Sequence, residues 1–484
     1  MPYKHGAFGE LLPTQDLVAP QNAGTLPVYI GRLPIHQLMD YAGKVNQPIL
    51  VQNYSDAVQK VGYNDANWAE FDLCEAIYAH FKNSIQPVGP IVLINVLDPD
   101  TMQTADQGAN VVLTNGQGYI ENDGVILKTV AVAGKVLGTD FNVEYIPDGS
   151  KVLLKAITAL VSPVAVTFDE VKPSDVTATE VMGGTVAETG AKSGISVVDL
   201  VYPGLNLIPT ILDAPGWSNT ATVDAALKAA AQKINGHWYA WVNSNLDTGE
   251  TANTIAKAKT WKSTNAYIGA GEAPCWPMAF KGTRKFHLST LTTVTMQMVN
   301  LSNDGIPFET PSNKPIDITG VCLADGTVLT YDQVLANDLN SSGIRTAIYW
   351  GGRWVLWGPH TGAYSYGGDI DPRDKFDCNV QMMYHLMNDF QVRYGLQVDK
   401  PMSRARVDTI LNDYQAHLDS LVSRGALLYA KMEFTETSNP VSDIVEGDFD
   451  FDIATSTTPP GKSLTAKVQY TTVGITAAFG GEQA

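Results

Sequence analysis

The chain has 484 residues, of which 44% are hydrophobic and 17% charged, and its formal net charge is −18. That length is too great for one hydrophobic core, so about two to four domains are expected. The acidic balance excludes a nucleic-acid binder, because phosphate contacts need a basic face.

Residues 1–24 hold few apolar groups, and Gly6, Gly9, Pro13 and Pro20 break any helix there. A short extended piece over 7–12 reads as a free strand. Residues 25–31 make the first core strand. Residues 54–61 and 71–81 read as helices, the second with Ala69, Leu73, Ile77 and Phe81 on one face. A buried strand over 91–97 follows, and this strand-helix-helix-strand start predicts an α/β layer.

Near Asp98 the texture changes. Asn115-Gly116, Asn122-Asp123-Gly124 and Asp148-Gly149 are hairpin turn signals between β-rich runs at 111–113, 125–132, 142–146, 151–157 and 164–168. They predict a small β-sandwich or barrel ending near Glu170, with a Ser/Thr/Gly-rich link to Gly194. The α/β texture resumes with a strand over 207–212, a turn at 213–216, an Ala-rich helix over 223–234 and a strand over 238–242. The β domain is therefore read as inserted between two halves of one layer. Residues 345–350 and 353–357 form a hairpin across Gly351-Gly352.

In the next segment Phe376, Val380, Met383, Met387, Phe390 and Tyr394 recur in steps of four and three, one stripe of a helix that ends at Gly395. Ser403 is the N-cap of a second helix with Val407, Leu411, Tyr414, Leu418 and Leu421 in the same rhythm. Gly425 supplies the left-handed position past its end, and a strand covers 426–434. Asp448, Asp450 and Asp452 then alternate with Phe449, Phe451 and Ile453, a period of two. Pro459-Pro460-Gly461 form a stiff hinge that cannot continue a ladder. Beyond it Leu464, Ala466, Val468, Tyr470 and Thr472 alternate with Ser463, Thr465, Lys467, Gln469 and Thr471. A lone strand is not stable in water. This one must pair with its own sheet, which the pattern alone favours, or with a neighbour's by strand addition.

The chemical motifs are poor. Gly461-Lys462-Ser463 looks like the end of a phosphate loop, but Ser456 stands where the first glycine belongs and two prolines precede it. Gly269-Ala-Gly271 is followed by Pro274 where a dinucleotide loop needs its third glycine. The eight histidines show no metal-ligand spacing, and no nucleophile elbow is present. His360 near Asp369 and Asp371 offers acid-base residue types, though a turn with satisfied polar groups is the plainer reading. Asp448, Asp450 and Asp452 lack the glycine and distal glutamate of a calcium loop, and suit a solvated edge. Trp350, Trp354 and Trp357 suit packing before sugar stacking. No catalytic, metal or cofactor site is expected. Cys74, Cys275, Cys322 and Cys378, widely spaced, read as free thiols from a reducing compartment. No apolar leader opens the chain, and no run is long enough to span a bilayer, so neither secretion nor membrane insertion is expected.

Several segments carry a family resemblance. Gly6, Phe8, Glu10 and Pro13 fit the opening extended arm of contractile tail sheath proteins, with His5 where a proline is usual. Leu212-Asp-Ala-Pro-Gly216, Asp304-Gly-Ile-Pro-Phe-Glu-Thr-Pro-Ser-Asn313 and Asn340-Ser-Ser-Gly-Ile344 resemble that family's segments in the same order. Trp357-Gly-Pro-His-Thr361 does so with His360 replacing the usual arginine. Residues 371–401 and 418–428 match its two C-terminal helices and the stretch after them. The resemblance covers most of the chain outside 99–195, and it is to the sheaths of myovirus-type phages, R-type bacteriocins and related contractile injection systems.

The resemblance implies an α+β multidomain fold: an extended arm (1–24), a discontinuous α/β core (25–98 with 196–344), an inserted all-β domain (99–195), a C-terminal α+β domain (345–455) and a hinge with a C-terminal arm strand (456–484). It implies a virion-tail subunit, assembled in the host bacterial cytoplasm, that stacks as hexameric rings around a tube and contracts without ATP. Its partners would be other copies of itself, the tail tube protein, and baseplate and tail terminator proteins. Gly6, Phe8, Glu10 and Leu12 would belong to the N-terminal inter-subunit arm. Leu464, Ala466, Val468, Tyr470 and Thr472 would form the C-terminal one, with Pro459, Pro460 and Gly461 as hinge. The alternative is a surface-binding module that takes glycans or a host surface through the inserted β domain.

Overall fold

The computed structural model describes residues 24–66 and 68–479. Gly6, Phe8, Glu10 and Leu12 lie outside them. The described chain opens with β1 (Pro27–Gly31), β2 (Pro48–Val51), α1 (Tyr54–Val61), α2 (Leu73–Phe81) and β3 (Ile91–Asn95). It then leaves this layer for β4 (Gln103–Val111), β5 (Gln117–Ile120), β6 (Ala131–Val132), β7 (Phe141–Tyr145), β8 (Val152–Ala156) and β9 (Val164–Val171). It returns with β10 (Ile211–Asp213), α3 (Ala221–Ala231), β11 (Trp241–Asn245), α4 (Ile255–Thr264) and β12 (Glu272–Cys275).

Strands from before and after the excursion share one sheet, in the order β12-β11-β10-β1-β3-β2. Val28 of β1 lies between Leu212 and Val92, and all pairings are parallel except that of the edge strand β2. Every residue of β1, β3 and β11 is buried. Helices cover both faces of such a sheet, so β1 and β3 read as near-continuous apolar runs rather than as alternation, while β11 buries Asn243, Ser244 and Asn245 in hydrogen bonds. The strand expected over 207–212 begins only at Ile211, because Pro209 has no N–H to give a central ladder.

The excursion forms two three-stranded sheets, β4-β9-β6 and β5-β8-β7. They enclose one apolar cluster that includes Val111, Ile120, Phe141, Leu154 and Phe168. Their strands alternate buried and exposed, as half-solvated antiparallel strands do. The strand expected over 125–132 is instead a 3-10 turn at Leu127–Thr129 followed by the two residues of β6.

After β12 come β13 (Met278–Lys281), β14 (Arg284–Phe286), α5 (Leu288–Ser302), β15 (Gly320–Cys322), β16 (Val328–Leu329) and α6 (Gln333–Asn340). The hairpin β17 (Thr346–Trp350) and β18 (Arg353–Trp357) turns on Gly351 and Gly352, both at positive φ (59° and 83°). A two-residue turn matching the strands' twist requires that conformation. Helix α5 is buried almost all round, and most of its polar groups are bonded inside the protein, Thr290 Oγ1 and Gln297 Oε1 being exceptions. Ser289 Oγ and Thr293 Oγ1 donate to Asp213 at 2.9 and 3.0 Å, and Asn300 Nδ2 reaches Thr25 Oγ1 at 2.8 Å.

The C-terminal part is a helical hairpin, α7 (Asp377–Tyr394) and α8 (Arg404–Ser423), then β19 (Leu427–Glu433), α9 (Val441–Glu446), β20 (Asp452–Thr457) and α10 (Val473–Phe479). Ser403 caps α8 by accepting from Arg406 N, and Gly425 closes it at φ 77°. Met382, Leu386, Tyr414, Leu418 and Met432 share one core. The stripe read in α7 lies on one face, but only Val380 of its six residues is fully buried, and Met387 is 38% exposed. The most buried face carries Cys378, Met382 and Leu386, because α7 packs on two sides. Val380 meets Trp241 and Met296 of the first core, and Asn388 bonds both backbone groups of Tyr239. All four cysteines are free and buried.

Candidate inter-subunit interface

Strands β19 and β20 form a two-stranded antiparallel sheet with Lys431 opposite Ala454 and Met432 opposite Ile453. Leu427, Ala430 and Met432 are buried toward the helices. An irregularity between Leu427 and Tyr429 turns both Leu428 (61% exposed) and Tyr429 (50%) outward. The connection is pinned by Asn439, only 2% exposed. Its Nδ2 donates to Thr435 O and Asp450 O, and its Oδ1 accepts from Asp450 N at 2.7 Å.

This pinning overturns the expected aspartate ladder. Only Asp452 belongs to the strand, and its Oδ2 accepts from Ser438 Oγ at 2.6 Å. Asp448 and Asp450 precede the strand in the connection. In β20, Ile453, Thr455 and Thr457 are half-buried while Asp452, Ala454 and Ser456 face solvent.

After Thr457 the chain runs along the protein for one more residue, Thr458 Oγ1 donating to Gly425 O at 2.6 Å. Pro459, Pro460 and Gly461 then leave over a groove of about 830 Å³ lined by Glu309, Asn313, Trp357, His360 and Tyr364. Residues 461–471 take neither helix nor strand, so the chain does not fold back onto its own sheet as the pattern alone favoured. Ala466 and Thr472 are exposed, as are Leu464 (91%), Val468 (93%) and Tyr470 (78%). The unanticipated α10 follows, with Val473, Ile475 and Phe479 also exposed.

The residue types that suggested chemistry are used structurally. His360 stacks on Tyr364 with ring centroids 3.5 Å apart, and its Nδ1 lies 3.0 Å from Lys375 O. Burial pushes its pKa down to about 4, so it is neutral. Asp371 caps a 3-10 turn through Arg373 N, and Trp357 Nε1 donates to Asn337 Oδ1 at 2.9 Å. The carboxyl ends of β1 and β10, where doubly wound sheets bind ligands, are closed by side chains. Asp72 accepts from Arg32 N (2.6 Å), Arg32 Nε (2.9 Å) and Trp217 Nε1 (2.6 Å). Beside it His287 binds Glu75 at 2.8 Å. Burial opposes charge on this imidazole, but the carboxylate of Glu75 holds its pKa above the usual value. Among the described residues no group of three or more His, Cys, Asp or Glu is placed to hold a metal ion. No described helix is long and apolar enough to cross a membrane.

A spliced α/β sheet, an all-β excursion, a helical hairpin and a small open sheet with an exposed tail make up a fold that recurs in contractile systems. The same fold is found in a chain of the anti-feeding prophage baseplate (TM-score 0.59, 12% identity, 97% of this chain and 100% of that one). It recurs in the PVC extracellular contractile injection system sheath in its contracted state (TM-score 0.57, 13% identity, 97% and 98%) and in a sheath tail protein of Listeria innocua (TM-score 0.51, 11% identity, 91% and 93%). No family model matches the sequence. Over 482 residues it is 24% identical to the tail sheath protein of Burkholderia phage BcepMu, covering 93% of this chain and 95% of that protein. In sequence and in fold the chain is similar to contractile tail sheath proteins.

Proposed function

We propose that this chain is the repeating subunit of a contractile sheath in a virion tail, linked into a mesh by exchanged terminal segments. The observation that carries the reading is the exposed segment 461–472, which leaves a strand edge of its own domain unpaired. Alternating apolar side chains at 78–93% exposure are costly to leave in water, and a sheet edge on another copy would bury one face of them. In this reading Gly6, Phe8, Glu10 and Leu12 belong to the N-terminal arm. Leu464, Ala466, Val468, Tyr470 and Thr472 form the C-terminal arm, and Pro459, Pro460 and Gly461 its hinge.

The subunits stack as hexameric rings around a tail tube protein, bounded by baseplate and terminator proteins. The helical hairpin faces the tube and the 99–195 domain the outside. The units 25–98 with 196–344, and 345–455, move as bodies while the arms keep the mesh connected. The extended sheath is a higher-energy state held behind a barrier, so contraction to a better-packed state needs no ATP. Negative-stain microscopy of the full chain and of a chain ending at Gly461 tests this. Hollow tubes from the first and monomers from the second are expected. Monomers from both, under all salt conditions, would refute the arm-linked sheath.

A further inference from the structure

The two edges of the β19-β20 sheet are not equivalent, and the difference is made by Gln415 of α8. Its Nε2 donates to Ala430 O at 3.2 Å and its Oε1 accepts from Met432 N at 2.8 Å. A carboxamide carries the same donor and acceptor as a peptide group. Gln415 therefore makes, at the centre of β19, the two hydrogen bonds that a neighbouring strand would make.

These bonds also fix which way each backbone group points. In an antiparallel pair the N–H and C=O of one residue face the same edge, and successive residues alternate. Ala430 and Met432 face away from β20, so Lys431 faces it, as does its opposite number Ala454. Ile453 and Thr455 consequently turn their N–H and C=O to the outer edge of β20. No described strand pairs there. Beneath that strand runs α7: Thr457 Oγ1 bonds Asn379 Oδ1 at 2.8 Å, and the rings of Phe451 and Phe390 lie 5.8 Å apart. The stripe of α7 left partly open is apolar, with Met383, Met387, Phe390 and Tyr394.

We infer that Gln415 guards the β19 edge, so that an exchanged strand adds only along β20, and that the strand it admits is segment 464–472 of a second copy. That segment's apolar face, Leu464, Val468 and Tyr470, then lies over the open stripe of α7. Its polar face, Thr465, Lys467 and Gln469, continues the solvent face of Ala454 and Ser456. An open hydrogen-bonding edge on a soluble protein is a liability unless managed, and a plug on one side leaves one productive pairing. The inference rests on the proposed strand exchange and adds which edge takes part and what closes the other.

Cysteine pairs in the full-length chain test it. Lys431 and Ala454 lie opposite each other on the solvent face. A strand added outside β20 sits about 4.8 Å from it and about twice that from β19. A disulfide forms only when Cα atoms are within about 7 Å. Ala454→Cys combined in turn with Thr465→Cys, Lys467→Cys and Gln469→Cys should give ladders of linked subunits on oxidation of assembled tubes. Lys431→Cys with the same three should give at most a tenth as much. Ladders from the Lys431 series with Gln415 intact would overturn the edge assignment while leaving strand exchange standing. Tubes that link at neither edge would sink strand exchange at this sheet, and the inference with it. If the β20 edge also links to cysteines placed in residues 6–12, the occupant is not the C-terminal segment alone. In a Gln415→Ala background with unchanged circular dichroism, the Lys431 series should begin to link and tubes should become irregular. No new linkage there would rule out Gln415 as the guard.

Discussion

Arg345 and Asp377 form an ion pair in which neither side chain is exposed to solvent. The pair joins three parts of the molecule. Arg345 N donates to Pro274 O at the end of β12, Arg345 Nε donates to Gly358 O just after the β17-β18 hairpin, and Asp377 opens α7. Asp377 also accepts from Thr310 Oγ1 at 2.9 Å. Burial alone pushes the Asp377 carboxyl upward, and the guanidinium beside it opposes that rise.

Removing one partner leaves the other buried without compensation. Arg345→Met and Asp377→Leu should each cost about 3–5 kcal/mol, and the double variant should recover most of that loss. Equilibrium unfolding in guanidinium, followed by circular dichroism, reads both. Additive losses in the double variant would mean that the residues act separately.

Asp213 gives a pH dependence with a definite sign. Burial lifts its carboxyl to about 8, although the hydroxyls of Ser289 and Thr293 pull it down. In an unfolded chain the same group titrates near about 3.9. The folded state therefore holds the proton more tightly. Its stabilising contribution is complete below pH 4 and is lost as pH rises to 8, with a slope of at most about 1.4 kcal/mol per unit. Asp213→Asn cannot titrate. Its stability relative to the native chain should rise between pH 5 and pH 8, and a constant difference in urea midpoint would contradict the assignment.

What the sequence disclosed depended on whether neighbours or distant elements set each choice. The helical hairpin was legible because Ser403, the four-three rhythm and Gly425 all act within a few residues. The β17-β18 turn was legible because Gly351 and Gly352 permit positive φ. Helix α5 was not, since its buried faces carry Ser289, Thr290, Thr292, Thr293 and Thr295. Asp213 and Asn245, the partners of Ser289 and Thr293, lie far away in the chain. Gln415 was equally hidden. It stands four residues after Leu411 beside an apolar stripe, and besides Asp419 one turn on, which its Nε2 reaches at 2.8 Å, its partners are the backbone of β19. The tail showed its period of two but not its conformation: residues 461–471 take neither helix nor strand and stand exposed, so no packing within the described chain sets them.

The two glycines that end the hairpin helices separate a conformational need from a mere boundary. Gly425 sits at φ 77°, where a Cβ is strained, although nothing lies within 4 Å. Gly395 is right-handed at φ −53° and opens a 3-10 turn. Gly425→Ala should lose about 1–2 kcal/mol. Gly395→Ala should be neutral or gain up to about 1 kcal/mol by restricting the unfolded chain. Thermal unfolding of the two single variants distinguishes them. Equal losses would mean that Gly395 also needs its freedom.

The tail offers a test that separates folding from assembly. Val468 is 93% exposed and Tyr470 78%, so a charge at either meets water in the single chain. Val468→Asp and Tyr470→Asp should change monomer stability by no more than about 0.5 kcal/mol. Laid against α7 of another copy, each aspartate would be desolvated without a partner, at a cost of about 2 kcal/mol or more per site. That penalty recurs at every subunit of a polymer, so tubes should vanish. Lys467→Asp lies on the opposite face of the alternating segment and should leave tubes intact. Sedimentation velocity with electron microscopy reads both arms. If Lys467→Asp disperses the assembly as fully as Val468→Asp, the segment is not held as a strand with one buried face.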